Sequence, residues 1–327
     1  MPGISVSKIP IPFRGAGGIS WQTYWTTKKP TLLNVTGMRD TEIDFAWTDN
    51  SSGDCSFKIY KSTDGINYTA DGTTVAGDTT YTATGMTAGT LYYFYVVGVK
   101  DSNESDPTNI YDTRFKITVD TTKAGSAADT FVLPLSGTVN AYIDWGDGGA
   151  EENVTTAANH SHTYAASGTY QVKVRGAFGR VLFNNGGDKL KVSSIDNWGN
   201  IKLSSLTTSF FGCANMQGTY IDVPNTTASM TAANTFTGCA KFNWPVNNFY
   251  TAAITNMSGM FYGCAAFNQS VANFNTAAVT NMYAMFSGCS AFNQSVANFN
   301  TAAVTDMSYM FSGCSAFNQS VANFNTA

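Results

Sequence analysis

Charged side chains are scarce in this sequence, at 12% of 327 residues with a formal net charge of −4. Lys and Arg form no cluster that could follow a phosphate backbone, which excludes an ordinary nucleic-acid-binding protein. No apolar run reaches the length of a membrane-spanning helix, so we expect no membrane insertion. The first 25 residues lack a continuous apolar core followed by a small-residue cleavage site, and they therefore predict no secretory signal.

Metal-binding and catalytic groups are also few. His160 and His162 are the only histidines, and they alternate along a predicted strand with no third ligand nearby, which indicates structural residues. Asp144 and Asp147 are interpreted as shaping a tight turn, with a calcium site as the alternative. No nucleophile–base grouping, phosphate loop or cofactor fingerprint occurs, so we predict a protein that is not an enzyme and holds no metal or cofactor.

The first 29 residues are rich in proline and glycine and show no helix or strand periodicity, which predicts an extended N-terminal peptide. This peptide nevertheless carries Phe13, Trp21, Tyr24 and Trp25. In one interpretation the aromatics from Trp21 to Trp25 fold back onto the next domain. In the other, which we adopt as the prediction, the four aromatics anchor the chain by filling pockets on another protein, as Trp and Tyr do at interface hot spots.

Residues 30–118 contain short alternating runs, such as "EIDFAW" and "SFKIYK", separated by turn residues, and this pattern is typical of a β-sandwich. Trp47 occupies the place of a core tryptophan. The run "MTAGTLYYFYV" resembles a strand corner of the form L-x-P-G-T-x-Y, with Tyr92 as the corner tyrosine. The segment thus resembles a fibronectin type III domain, although Met86 and Ala88 replace the usual Leu and Pro.

Residues 119–184 contain "YIDWGDGG" and, further on, "HSHTYAASGTYQVKV". These runs resemble a PKD-type sandwich, in which one strand ends at W-G-D-G and a later strand follows a G-x-Y sequence. Gly146 and Gly148 permit the tight turn that this arrangement needs. The resemblance places Trp145 and Tyr170 in the core of a second β-sandwich.

Residues 185–327 are built of repeats about 25 residues long, marked by regularly spaced cysteines. These are Cys213, Cys239, Cys264, Cys289 and Cys314. Within one repeat, Val271 and Phe274 predict a short strand, and Val279, Met282, Met285, Phe286 and Cys289 follow helical spacing. One strand and one short helix per repeat indicate a leucine-rich-repeat-like solenoid, and "VTNMSGMFYGC" resembles the repeats of BspA-like surface proteins of bacteria and mycoplasmas.

Register stacking explains the composition of the repeats. After Lys241 the only charged residue is Asp306, because a charged repeat position would place like charges in a column. Asn and Gln can instead bond to their copies in adjacent repeats. The cysteines are interpreted as a buried column of small apolar side chains, with inter-repeat disulfides and reactive thiols as the alternatives.

Two features of the repeats predict contacts with partners. Aromatic residues at variable repeat positions are expected to be exposed and could stack on sugars or on a partner protein; they are Trp198, Trp244, Tyr262, Tyr283 and Tyr309. The sequence also ends in "FNTA" within a repeat. We expect that another chain, such as a second copy, covers this end, or that further residues follow it.

The predicted fold is therefore mainly β: two tandem Ig-like β-sandwiches followed by a BspA-like repeat solenoid with short helices. Such modules are typical of an extracellular adhesin. However, the run "SKIPIPFRGAGGISWQTYW" resembles the N-termini of fibre and decoration proteins of tailed bacteriophages. This resemblance implies a virion protein that contacts other virion proteins through residues 1–29 and binds a host-surface protein or glycan. The alternatives are a bacterial cell-surface adhesin and a carbohydrate-binding accessory protein.

Overall fold

The computed structural model describes residues 20–218, 222–226 and 230–325. Its described residues divide into two compact units. The first comprises residues 20–33, 46–81 and 93–111, and the second comprises residues 34–45, 82–92 and those from 112 onward. The fold is mainly β, with 32% strand against 4% helix, as the sequence predicts. Among the described residues, no helix is both long and apolar enough to cross a membrane.

The regular elements are concentrated before residue 200. The helices are α1 (Trp21–Lys28) and the 3-10 helix η1 (Lys189–Lys191). The strands up to residue 112 are β1 (Thr31–Arg39), β2 (Glu42–Thr48), β3 (Ser56–Ser62), β4 (Thr69–Thr73), β5 (Thr80–Thr84), β6 (Tyr93–Lys100), β7 (Asn103–Glu104) and β8 (Tyr111–Asp112). The later strands are β9 (Phe115–Asp120), β10 (Thr130–Ser136), β11 (Asn140–Asp144), β12 (Glu152–Val154), β13 (Asn159–Thr163), β14 (Thr169–Ala177), β15 (Arg180–Val181), β16 (Val192–Asn197), β17 (Met230–Thr231) and β18 (Ile254–Asn256).

Sandwich-like sheets account for the strands before residue 200. One sheet has the order β1-β2-β5, and another has the order β4-β3-β6-β7 with β8 also paired to β6. Within the first unit, alternate residues of β3 point inward, so that Phe57 and Ile59 are fully buried. The Phe57 ring packs edge-on against Trp47, with ring centroids 5.4 Å apart. Period-two alternation therefore buries one face of the sheet, as the sequence predicts.

The prediction of an extended peptide over residues 1–29 is wrong for residues 21–28, which form α1, while residues 1–19 lie outside the described residues. The Ser20 hydroxyl caps this helix by accepting a hydrogen bond from Thr23 N–H at 3.2 Å. Trp25 is buried and lies against Gly98, where an added Cβ would approach a Trp25 ring atom to 2.8 Å. The aromatic ring is thus buried in the first unit, and this burial stabilises a short helix that propensity alone would not.

The second unit contains two further sheets, ordered β13-β10-β15 and β12-β11-β14-β9-β16. In the second of these, antiparallel register pairs Ile117 with Val172 and Phe115 with Val174, and all four side chains are buried. Trp145 is also buried at the end of β11, and the Tyr164 hydroxyl donates to its carbonyl oxygen at 3.0 Å. In "TYQVKV", the valines therefore point into the core and the polar residues point outward.

Backbone contacts join two loops of the second unit to the end of strand β14. Gly89 N–H donates to the Asn200 carbonyl at 2.6 Å, and Gly176 N–H donates to the Gly89 carbonyl at 3.0 Å. Gly89 has φ of +76°, and a Cβ there would lie 2.7 Å from the Gly176 oxygen. Only glycine allows this approach, because any side chain would both strain the backbone and collide. The loop that precedes the corner residue Tyr92 is thereby fixed to the start of the repeats.

From residue 230 to residue 325, which we call the repeat stack, successive repeats lie in register. The ring centroids of Phe236, Phe261, Phe286 and Phe311 are separated by 5.9, 5.7 and 5.7 Å. A second column follows the same step, with separations of 5.8, 5.8 and 5.9 Å; it contains Phe242, Phe267, Phe292 and Phe317. Most of these rings are fully buried, so neighbouring repeats share one aromatic interior.

The short helix predicted for each repeat is wrong for residues 257–264, 282–289 and 307–314, which form turns and which we call the turn segments. In the first segment, Gly259 N–H and Phe261 N–H donate to carbonyls of the following repeat, at 2.8 and 2.9 Å. The intervening N–H groups bond three residues back within the same repeat, as Tyr262 N–H does to the Gly259 carbonyl at 3.0 Å. Because alternate donors pair outside the segment, a continuous helical ladder cannot form.

The strand predicted over Val271 to Phe274 is also wrong, because these residues close a turn in which Phe274 N–H donates to the Val271 carbonyl at 3.0 Å. Parallel pairing lies elsewhere in the repeat. It joins β17 to β18 and continues as single bridges from Asn256 to Asn281 and from Asn281 to Asp306. Apolar residues three apart fit a turn as well as a strand end, so the pattern could not locate the ladder.

Candidate binding surface

The turn segments position a group of exposed tyrosines, which we call the tyrosine surface: Tyr262, Tyr283 and Tyr309. Their exposed fractions are 49%, 44% and 66%, although the repeat stack around them is closely packed. The Tyr283 and Tyr309 rings meet edge to face, with centroids 5.9 Å apart and planes inclined by 74°. Rings presented to water on a rigid backbone lose little conformational freedom when they bind a partner.

Hydrogen bonds fix the backbone beneath this surface. Asn281 Oδ1 accepts from Tyr283 N–H at 2.9 Å, and the Tyr283 carbonyl accepts from Gly259 N–H at 2.8 Å. Likewise, Asp306 Oδ1 accepts from Ser308 N–H at 2.9 Å, and the Ser308 carbonyl accepts from Ala284 N–H at 2.8 Å. Tyr283 is therefore held by the preceding repeat as well as by its own turn, and Ser308, the residue before Tyr309, is held in the same way.

Tyr309 adopts a left-handed backbone conformation, with φ of 61°. The equivalent residues of the preceding repeats do the same, at 56°, 58° and 51°; they are Asn234, Gly259 and Ala284. The conformation is thus a requirement of the repeat, and glycine and asparagine meet it at the least cost. A large aromatic residue at this position stores backbone strain on an exposed site.

The tyrosine surface is close to electrically neutral. Lys241 and Asp306 are the only charged residues in the whole of residues 230–327. The Ser308 backbone N–H stabilises the ionised Asp306 side chain and lowers the pKa of its carboxyl group. Neighbouring exposed positions carry hydroxyl groups instead, including those of Thr280, Thr305 and Ser312. The Thr280 and Thr305 hydroxyls donate to the carbonyls of Thr255 and Thr280, at 3.2 and 3.0 Å, and keep acceptor capacity without imposing a charge on the ligand.

A cavity of about 400 Å³ borders this surface at Tyr309. Its other lining residues are mostly apolar: Met307, Met310, Phe311, Ser312, Val321 and Phe324. All of these residues belong to the last described repeat, and no described repeat follows them.

Two tryptophans that the sequence analysis proposed as exposed sugar-stacking residues are buried. Trp198 is 3% exposed and Trp244 is 2% exposed. Trp244 packs on Phe242 with centroids 5.0 Å apart, and Trp198 packs on Phe210 at 5.8 Å. Both rings therefore fill the interior, and the prediction of surface roles for them is wrong. Burying a large apolar ring stabilises the fold, even at a position where other repeats carry different residues.

The cysteine column lies in the interior. All six cysteines are free and buried. The Sγ atoms of Cys264 and Cys289 donate to the carbonyls of Phe236 and Phe261, at 3.0 and 2.9 Å, and the two flanking repeats show the same contact. Burial raises the pKa of the Cys239 and Cys289 thiols. The thiols therefore remain protonated and pack as small apolar side chains that donate one weak hydrogen bond.

The other predicted core residues lie as follows. Trp47, Tyr92 and Trp145 are buried, whereas Tyr170 is half-buried and stacks on Tyr164 with ring centroids 3.6 Å apart. The Tyr92 hydroxyl accepts from Thr87 N–H at 3.3 Å, which is the back-bond of a tyrosine corner.

Of the predicted anchor residues, Phe13 lies outside the described residues, and Trp25 is buried. Trp21 and Tyr24 are half-buried, and the Tyr24 hydroxyl lies 3.4 Å from Cys55 Sγ. Trp21, Tyr24 and Trp25 therefore fold back onto the neighbouring domain, which is the alternative interpretation given for them from the sequence. The described aromatics of α1 are thus engaged within the chain.

The carboxylates considered for calcium are engaged with protein groups. Asp144 accepts from Gly146 N–H at 2.9 Å and from Lys173 Nζ at 3.0 Å. Asp147 accepts from Gly149 N–H and contacts His162 Nε2 at 2.8 Å. The Gly149 N–H, followed by His162, lowers the pKa of Asp147. In the part of the chain that the structure describes, no group of three or more His, Cys, Asp and Glu residues could hold a metal ion.

An aromatic cluster that the sequence alone does not reveal lies on the outer face of sheet β4-β3-β6-β7. Tyr60 and Tyr95 are directly opposite in the antiparallel register, and their rings stack at 5.0 Å. Tyr68 packs on Tyr95 at 4.7 Å, and the Tyr60 hydroxyl donates to Glu104 Oε1 at 2.8 Å. The alternation that predicted inward Phe57 and Ile59 also implies outward Tyr60. Its cross-strand partner depends on register, which the sequence does not specify.

Two protein families match parts of this chain. Residues 28–114 match the fibronectin type III domain, which confirms the resemblance found in that segment. Residues 180–273 and 231–327 match a family described as Mycoplasma protein of unknown function, DUF285. This match agrees with the resemblance of the repeats to mycoplasma proteins.

Several solved structures are similar to about a quarter of the chain. Titin domains A168–A170 show 19% identity over 26% of this chain and 30% of theirs, with a TM-score of 0.23. An Fn3-like protein from Clostridium thermocellum shows 25% identity over 26% of this chain and 91% of its own, with a TM-score of 0.23. An FN3 domain of human collagen XX shows 13% identity over 25% of this chain and 85% of its own, with a TM-score of 0.23. No curated protein matches the chain.

Proposed function

We propose that this chain is a non-enzymatic adhesion protein displayed on a surface, and that its repeats make the adhesive contact. The observation that carries the proposal is the tyrosine surface: exposed rings on a neutral, register-stacked support. The matches to fibronectin type III and to the mycoplasma family support it, because modules of these kinds are typical of surface proteins.

The proposal extends to the architecture. Residues 119–184 form a PKD-like sandwich, and residues 185–327 form a BspA-like solenoid whose repeats share one core. The phenylalanine columns and inter-repeat hydrogen bonds support the second assignment. In such an arrangement each repeat is stable only with its neighbours, because one repeat buries too little apolar surface to offset its ordering entropy.

We further propose that the chain is displayed on a tailed-phage virion, as a fibre or decoration protein. Residues 7–25 support this placement through their resemblance to virion N-termini, and residues 1–19 would contact other virion proteins. Lateral packing of identical chains as a homo-oligomer is compatible with the neutral repeats. The rival location is a bacterial cell surface, where the same adhesive surface would serve an exported adhesin.

The non-enzymatic part of the proposal is supported by how the titratable groups are engaged. Buried Lys191 Nζ donates to three backbone carbonyls, those of Ser126, Ala127 and Thr130, at 3.1, 2.7 and 2.6 Å. Asp147 pairs with His162, and the repeat thiols are buried with raised pKa values. These contacts satisfy each group within the fold and leave it poorly placed to attack or protonate a substrate.

Adhesion is tested by adding fluorescently labelled full-length protein to host-bacterium cells and measuring bound label by flow cytometry. We expect saturable binding that excess unlabelled protein displaces. Absence of saturable binding would contradict the adhesion proposal.

The virion placement has a separate test, because the chain can be deleted before α1. Removing residues 2–19 leaves the contact of Trp25 with Gly98 intact, whereas removing residues 2–29 would also destabilise the first unit. We expect purified particles to lose the shortened chain, as measured by quantitative mass spectrometry. Particles that retain it in full would contradict the anchor, and labelling of the bacterial surface instead would favour the cell-surface adhesin.

A further inference from the structure

We infer that the pair of Tyr283 and Tyr309 is a binding site for an uncharged saccharide. This inference rests on the proposed adhesive function and names both the residues and the chemical class of the ligand.

The fold itself does not require a tyrosine at position 309. Gly259 and Ala284 occupy the equivalent position in the two preceding repeats with the same left-handed backbone. A tyrosine there costs more than glycine, since a β-carbon is strained at positive φ. Backbone strain of this kind is a starting point for a functional hypothesis when it lies on an exposed site. Tyr309 is 66% exposed in the last described repeat, whereas Ala284 in the preceding repeat is 2% exposed.

The ring geometry suits a ligand with an apolar face and polar edges. The Tyr283 and Tyr309 rings meet edge to face at a centroid separation of 5.9 Å, so the two rings form a corner. A pyranose ring has apolar C–H faces that pack on such a ring, and its hydroxyls project sideways. On the same repeats, the exposed Ser312 hydroxyl offers a donor and an acceptor, while the Thr280 and Thr305 hydroxyls donate to backbone carbonyls and offer acceptors.

The absence of charge selects an uncharged ligand. The repeat stack has no arginine, and its single lysine, Lys241, lies two repeats before Tyr283 in the sequence. An anionic polysaccharide would need a basic partner to offset its desolvation. The one carboxylate near the pair, Asp306, would repel an anion.

The test is affinity electrophoresis of the full-length protein in gels that contain mannan, galactan or xyloglucan, with polygalacturonate as the anionic comparison. We expect at least one neutral polysaccharide to retard the protein, and the retardation to be independent of salt. Tyr283→Ala and Tyr309→Ala should each weaken binding about ten-fold, which corresponds to about 1.4 kcal/mol. Tyr309→Phe should retain binding because it keeps the ring.

Tyr250→Ala is the matched control, because Tyr250 is 48% exposed on the same repeat stack but lies outside the turn segments. Equal loss of binding in Tyr250→Ala would overturn the assignment to the pair. Retardation by polygalacturonate alone, or by no polysaccharide, would overturn the inference as a whole.

Cell binding measured in parallel separates this inference from the proposed function. Adhesion that survives in both Ala variants would leave adhesion standing and point to a protein partner or another surface. Loss of adhesion in the two Ala variants, with retention in Tyr250→Ala, would support both. A parent protein that binds no cells contradicts the adhesive function on which the inference depends.

Discussion

In the sheets before residue 200, charged side chains pair across strands, whereas the repeat stack has almost no charge. Asp144 on β11 contacts Lys173 on β14, and Arg175 contacts Glu151 at 2.6 Å. In an antiparallel sheet each residue faces a different residue, so a charge can meet its opposite. In the repeats, each residue faces its own copy, so any repeated charge would face a like charge.

Amide and hydroxyl side chains replace ion pairs in the repeats. Asn268 Oδ1 accepts from Asn293 N–H at 2.9 Å and from Gln294 Nε2 at 3.0 Å. The same pair of bonds joins Asn243 to the repeat after it and Asn293 to the repeat beyond. An amide is both donor and acceptor and can therefore pair with its own copy. The two regions thus differ in whether a side chain faces an unlike residue or its own copy. Substitutions can test the sheets and the repeats separately.

The largest loss of stability is expected from removing a ring that packs against both the preceding and the following repeat. Phe261 is fully buried and stacks on Phe236, Phe267 and Phe286. We expect Phe261→Ala to lower the free energy of unfolding by about 3–5 kcal/mol, because it removes buried apolar area and leaves a cavity between repeats. Urea denaturation monitored by circular dichroism measures the change.

The adjacent Tyr262→Ala is the control, since that ring is 49% exposed and its loss should cost about 0.5 kcal/mol or less. If both substitutions cost the same, the repeats do not share one interior.

Acid should affect the sandwich region before the repeats. Backbone N–H groups of Asn67 and Ile66 lower the pKa of Asp64, and the Gly149 N–H lowers that of Asp147. A carboxyl whose pKa is depressed on folding stabilises the fold above its unfolded pKa of about 3.9, and this contribution is lost as pH falls through the folded value. The repeat stack has only Asp306 to titrate in this range. Pepsin digestion between about pH 4 and pH 2, with cleavage sites mapped by mass spectrometry, should therefore cut before residue 200 first.

Asp64→Asn provides the internal check on the acid effect. It removes one depressed pKa and should reduce the pH dependence of stability while lowering stability at neutral pH. First cleavage within the repeats at low pH would show that charge symmetry does not govern the acid response.

A column of like charges should destabilise the repeats by a smaller amount. Asn243→Asp, Asn268→Asp and Asn293→Asp each keep the oxygen that accepts from the next repeat. A single substitution should therefore change the free energy of unfolding by less than about 0.5 kcal/mol. The triple variant should lose roughly 1 kcal/mol per adjacent pair, and salt should restore part of the loss.

The pH dependence of the triple variant has a defined sign. Like charges raise the folded pKa of these carboxyls in the triple variant above that in the single variants, so the part of the loss that comes from repulsion should be regained as pH falls. Thermal unfolding at two pH values and two salt concentrations measures both effects. A triple variant as stable as the single variants at low salt would contradict the interpretation of repeat neutrality.

Repetition made the buried columns of the repeats predictable from the sequence, whereas the local backbone conformation was harder to predict. Equal spacing of Phe261 and Phe286 implies a column whatever the backbone does between them. The spacing of Met282, Met285 and Phe286 fits a helix, but a turn with one left-handed residue places the same side chains inward. Position 284 holds Ala, which gives no sign of positive φ, and the choice is made by N–H groups that pair with the next repeat.

The candidate site was predictable in part for a related reason. Tyr262, Tyr283 and Tyr309 stand where the other repeats from residue 230 onward have Ser, Thr, Gly, Ala or Asn, and residues that the interior needs do not vary in this way. The same rule failed for Trp244, whose repeat position is taken by Gln in later repeats. There the ring lies over Phe242 and is buried, since a long side chain can reach the interior from a position whose polar counterpart lies at the edge.

The smallest effect concerns the backbone at Tyr309 and is isolated by comparing two substitutions at one position. Tyr309→Gly and Tyr309→Ala both remove the ring and differ only in the β-carbon. With φ at 61°, the glycine variant should be more stable than the alanine variant by about 1 kcal/mol. The same pair at Ser308, which is not left-handed, should show the opposite order because glycine loses more entropy on folding. Chemical denaturation of the four variants measures both differences. The same order at both positions would mean that residue 309 is unstrained, and the tyrosine there would then need no functional explanation.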